Sequence, residues 1–179
     1  MIGVTGGANV KIKIALTKRD VVHYSARYEL YEDVSEDERV ARRLSIAAER
    51  GHLDLEDLRQ VARWKSPRRM SLVEGNGEPD VREASRVSFT AKSERLRIGA
   101  LRVLEGIEWP RASAILHFVF PEHYPILDVR AMRTVDGPLN SYTFRIWAEY
   151  TRLCRQKAAE YGVTLRQLDR ALWTFDRAR

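Results

Sequence analysis

Residues 110–119, PRASAILHFV, constrain the fold more than any other stretch of the chain. Ala112, Ala114, Ile115, Leu116, Phe118 and Val119 put apolar side chains on nearly every face of a helix. A helix with no polar face has no side to turn toward water, so it must be central and surrounded. Proline in its first turn costs no hydrogen bond, because that N–H would be unpaired in any case. The remaining chain must therefore supply elements that cover this helix all round.

Those elements read as helices. From about Lys18 onward the pattern is helical. Ser35 and Glu38 resemble a capping box for a helix running to about Arg50, which Gly51 ends. Asp54 can cap the next helix, where Leu55, Leu58, Val61 and Ala62 form one stripe. Pro67 should stop it near Trp64 and Lys65. The run EGNGEP at 74–79 is a loop, in which Asn76 between two glycines suits turn geometry. Helices are expected at about 80–90, 92–104, 110–119 and from about Val129. GPLNSY at 137–142 is a connection to a long helix carrying Trp147, Tyr150, Cys154, Ala158 and Tyr161, closed by Gly162. Thr164 with Gln167 opens a last helix lined by Leu165, Leu168, Leu172 and Phe175. In that helix Asp169 and Arg170 read as surface or inter-helix ion pairs.

The first 18 residues form a lead-in that reads either as a short strand, since VKIKIAL at 10–16 alternates, or as an irregular segment. GVTGGAN at 3–9 has the glycines of a dinucleotide loop, but no matching helix follows it. The expected architecture is all-α, with residues 19–179 as a single helical domain.

Composition narrows the chemistry. Cys154 is the single cysteine, which excludes an internal disulfide and a cysteine-ligated zinc or iron–sulfur cluster. The four histidines have no metal-ligand spacing, so neither metal nor cofactor is expected. No apolar run approaches the ~18 residues of a membrane span, and no signal peptide is read at the start, so the expected location is cytoplasmic, with no membrane partner. Thirty-one Lys and Arg against 25 Asp and Glu give a net charge of +6. That balance suits a polyanionic partner, though it serves solubility equally well.

Around the central helix the order of residues becomes specific. Leu104, Gly106 and Ile107 precede Ala112 and the apolar helix; a loop then leads to Leu127, Asp128 and Arg133. Residues 96–135 resemble the helix-hairpin-helix DNA glycosylase superfamily, the group that includes endonuclease III and the adenine glycosylases. The spacing from Gly106 to Asp128 matches that family without a gap, over about a quarter of the chain. The resemblance implies a helical bundle with two lobes around a cleft. Its hairpin would span 92–119, its catalytic carboxylate would be Asp128, and its partner would be double-stranded DNA, with no obligate protein partner. Gly106, Ile107 and Arg111 would hold the DNA backbone.

Two departures stand out. Glu108 replaces the second hairpin glycine and puts a negative charge where a phosphate should approach. Pro110 occupies the position of the lysine with which some members form a Schiff base, so the expected enzyme is a monofunctional hydrolase.

Other candidates carry two readings each. Asp128 is either a catalytic group or the cap of the helix at Val129, and the two roles are compatible. Arg130 and Arg133 could clamp phosphates or pair with acids. Trp64 and Lys65, followed by Arg68 and Arg69, could face an extruded base and its phosphates or form a solvated basic turn. His117 is either a pocket residue or a hydrogen-bonded core histidine, and His123 reads as surface. The functional expectation is excision of a damaged or modified base from DNA. Its alternatives are a non-catalytic DNA-binding module, and a structural or interaction protein that has lost DNA.

Overall fold

The computed structural model describes residues 12–179. Ten α-helices and one 3-10 turn follow in order among these residues, with no strand. They are α1 (Lys18–Ala26), the 3-10 turn Tyr28–Leu30, α2 (Val34–Arg50), α3 (Leu55–Lys65), α4 (Met70–Glu74) and α5 (Glu78–Thr90). The second half adds α6 (Glu94–Leu101), α7 (Trp109–Val119), α8 (Val129–Thr134), α9 (Phe144–Tyr161) and α10 (Leu165–Arg177). No helix among the described residues is long and apolar enough to cross a membrane.

The helices group into two sets. α2, α3, α5 and α6 pack with α7 or with one another, and α4 lies on α3. α1, the 3-10 turn, α8 and α9 gather on α10. A continuous apolar core joins the sets, with Leu44, Leu58, Ile115 and Leu116 on one side and Trp147, Tyr150, Leu168 and Leu172 on the other. As its all-round apolar pattern requires, α7 is central: Arg111 through Val119 are all buried.

Helix ends follow local chemistry. Asp54 and Thr164 each form a full capping box, with Asp57 and Gln167 returning the bond. Gly51 and Gly162 close α2 and α9 in the left-handed conformation that glycine adopts without a Cβ penalty. One expected cap differs. α2 starts at Val34, and its cap is Asp33 in place of Ser35: the Asp33 carboxylate accepts the Ser35 N–H at 2.9 Å.

The lead-in also differs from a strand. Ile12, Ile14 and Leu16 are buried while Lys13 and Ala15 are exposed, so the alternation is real. No neighbouring strand completes a ladder; the Lys13 N–H donates to the Val135 carbonyl at 3.0 Å. The GVTGGAN stretch and the first two residues of VKIKIAL lie outside the described residues.

Candidate active site

Asp128 reaches its position through buried polar groups on two core helices. His117 and Ser113 both face inward from α7. The His117 ring Nδ1 bonds the Tyr124 carbonyl at 2.7 Å, and the Ser113 hydroxyl accepts the Leu127 N–H at 2.8 Å. From α9, the Tyr150 hydroxyl donates to the Ile126 carbonyl at 3.2 Å. The three bonds pin the loop between α7 and α8 at Tyr124, Ile126 and Leu127, because buried backbone groups must find partners. His117 is therefore a structural residue and not part of the base pocket. It is only 2% exposed, and burial pushes its imidazole down to about 3, so it stays neutral.

Asp128 is the N-cap of α8, and one carboxylate oxygen accepts the Arg130 N–H at 2.8 Å. Its other oxygen accepts a hydrogen bond from the Lys65 ammonium, at the C-terminal end of α3. Both side chains are largely buried, at 15% and 11% exposed. Burial alone would raise the Asp128 carboxyl. The Lys65 charge, its hydrogen bond and the Arg130 amide outweigh that effect and hold the group below its ordinary value. Asp128 is thus an ionised carboxylate in a largely buried setting. Capping and pairing coexist in it.

The pair lies in a cleft of about 350 Å³. One wall comes from Asp37, Trp64 and Lys65 of α2 and α3, the other from Asp128 and from Arg166, Asp169 and Trp173 of α10. Tyr28 and Glu32 also line it. Six carboxylates and three cationic groups face the space, so the cavity is acidic although the chain is basic.

Two of the carboxylates are deeply buried. Asp37 accepts the Trp64 indole N–H at 2.9 Å, the Arg170 guanidinium at 3.0 Å and that of Arg166. Asp169 accepts from Arg166. Burial pushes the Asp169 carboxyl up to about 6, against the opposing charges of Arg166 and Lys65. Asp128 and Asp169 therefore differ in proton affinity while sharing one cavity.

Sequence reading missed Asp37, Arg166 and Asp169, and placed Asp169 at the surface or in an inter-helix pair. A signal was present. Asp37 is in step with Val40, Leu44 and Ala47, and Asp169 with Leu165, Leu168 and Leu172. An acid within an apolar stripe must be buried, and a buried acid must be paired or functional. Arg170 does form an inter-helix pair, with Asp37 of α2.

The expected DNA-contact residues are mostly committed elsewhere. Arg111 is buried, and its guanidinium donates to the carbonyls of Gly106 at 2.7 Å, Ser66 at 2.8 Å and Arg68 at 2.6 Å. It is a brace inside the protein, not a phosphate ligand. Arg130 and Arg133 both pair with Asp176, at 3.1 and 3.5 Å. The Ile107 side chain belongs to the core, and its N–H is used by the Leu104 carbonyl at 3.2 Å. Gly106 does adopt a left-handed φ of +75°. Glu108 precedes α7 without capping it, and pairs with Arg102 at 3.0 Å. His123 is exposed, as expected.

Trp64 and Lys65 both line the cleft. Among the described residues, no group of three or more His, Cys, Asp or Glu is placed to hold a metal ion. Comparison with protein-family models, with curated proteins and with solved structures gives no match.

Proposed function

We propose that the protein is a monofunctional DNA glycosylase that hydrolyses the N-glycosidic bond of a damaged or modified base. In this reading the two helix sets are the lobes of a helix-hairpin-helix glycosylase, and the cleft between them receives a flipped nucleotide. The observation that carries it is Asp128: a buried carboxylate, kept ionised by Lys65, facing a cavity large enough for one nucleotide-sized ligand.

The chemistry follows from charge. As the bond to the base breaks, the sugar acquires positive charge. An ionised Asp128 stabilises that charge, or takes a proton from the attacking water. The acid excess of the cavity favours the same charge development. Asp169 is easier to protonate than Asp128, and two carboxyls with separated proton affinities are what divided acid and base roles require. Lys65 orients Asp128. The attacking group is water, because Pro110 supplies no amine at the Schiff-base position.

The test is strand nicking after mild alkali on duplexes carrying a panel of damaged and modified bases. Alkali-dependent breaks with wild type, reduced at least ~100-fold in Asp128→Asn, are the expected result. Breaks undiminished in Asp128→Asn would remove Asp128 from the chemistry. Absence of breaks across the panel would favour a binding module or an interaction protein.

A further inference from the structure

We propose that duplex phosphates are held by the loop between α3 and α4, through Arg68 and Arg69 with Arg63 beside them, and that the helix-hairpin-helix turn serves as the mount for this loop. The proposal takes DNA as partner from the reading above.

The charge is available there. Arg63, Arg68 and Arg69 are exposed, and among the described residues none of them forms an ion pair. Three unpaired arginines within seven residues contrast with Arg130 and Arg133, which share Asp176. Arg63 lines the cleft, and Lys65, two residues on, holds Asp128. Phosphates flanking a nucleotide in the cleft would therefore meet this segment. The cavity itself, with its acid excess, repels phosphate, so the backbone must be bound outside it.

The loop is also held rigidly, as a phosphate site needs. Arg111, reaching out from α7, ties the Ser66 and Arg68 carbonyls to that of Gly106 in the hairpin. On the other side Asn76 clamps the hairpin. Its amide donates to the Val73 and Glu105 carbonyls at 3.0 Å each, and its oxygen accepts the Glu105 N–H at 2.9 Å. Asn76 thus does more than shape its own turn. A Cβ on Gly106 would lie 2.9 Å from Val73 Cγ2 and 3.1 Å from the Leu72 Cβ, so the hairpin glycine is needed for contact with α4. The turn that matches a phosphate-binding hairpin is spent on packing, carries Glu108, and supports the basic loop instead.

The test is fluorescence anisotropy of a labelled duplex containing an abasic-site analogue, titrated over a range of salt concentrations. The variants are Arg68→Ala/Arg69→Asn and, separately, Arg63→Ala. Asn is chosen at position 69 because the residue there has φ +55°. Arg86→Ala/Lys92→Ala, two exposed residues elsewhere, is the charge-matched control. Each lost phosphate contact should flatten the slope of log affinity against log salt by about 0.9. The double variant is expected to lose nearly two such contacts, and the control few or none. Equal slopes in variant and control would overturn the proposal, as would failure of wild type to bind duplex at low salt, or tighter binding of RNA of the same sequence.

Excision is scored on the same proteins. Excision by wild type with an unchanged slope in the arginine variants sinks the proposal and leaves the glycosylase reading. Arginine-dependent binding with no excision sinks that reading and leaves the proposal.

Discussion

Replacing Lys65 by methionine would keep its apolar stem and remove the charge that holds Asp128 ionised. With the two side chains at 11% and 15% exposed, the variant leaves a largely buried carboxylate that keeps the Arg130 N–H, at 2.8 Å, but loses its cationic partner. Removing one member of a buried pair costs roughly 3–5 kcal/mol, mostly the desolvation of the charge left behind. For a chain of this length each kcal/mol moves Tm by roughly 2–4 °C, so Lys65→Met should melt on the order of 10 °C lower at neutral pH. The pH dependence is the sharper signature. In wild type the Asp128 carboxyl is depressed, so its contribution is present above the ordinary carboxylate range and is lost as pH falls through the folded value. Without Lys65, burial becomes the dominant influence and the folded value rises above the unfolded one. Its contribution then reverses, and stability is lost as pH rises out of the carboxylate range. Asp169, already raised by burial and partly relieved by Lys65, changes in the same direction. The difference between wild type and variant should therefore be small near pH 3 and grow toward pH 7. Urea unfolding at a series of pH values measures it. A difference that stays constant across that range would show that Lys65 contributes packing and not charge.

The hairpin and its brace give two further outcomes. Gly106→Ala combines a positive φ with contacts under 3.2 Å to α4, and should cost about 2–3 kcal/mol in denaturant unfolding; a loss below that of an ordinary surface substitution would mean that α4 yields freely. Arg111→Met leaves the Gly106, Ser66 and Arg68 carbonyls without their shared donor and should destabilise by about 2–4 kcal/mol. It should also raise hydrogen exchange at residues 66–72 before it affects α9, and uniform exchange across the molecule would argue against a local brace.

The sequence by itself determined most of the helices, though not α4 or the 3-10 turn, and the order around α7. Its all-round apolar pattern forced a central position, and Asp54, Thr164, Gly51 and Gly162 marked helix ends because caps and left-handed closures are local chemistry, decided within four residues. Asp128 and its neighbours Trp64 and Lys65 were legible as candidates for the same reason of type and spacing. Tertiary structure alone decided what each charge does. Lys65 and Asp128 are 63 residues apart, and Asp37 and Arg166 are 129 apart. Nothing local states that Arg111 turns inward to three carbonyls while Arg68 and Arg69 stay free. An arginine is read as a phosphate ligand or as a brace according to which carbonyls or carboxylates come within hydrogen-bond reach, and that is settled only when distant helices pack.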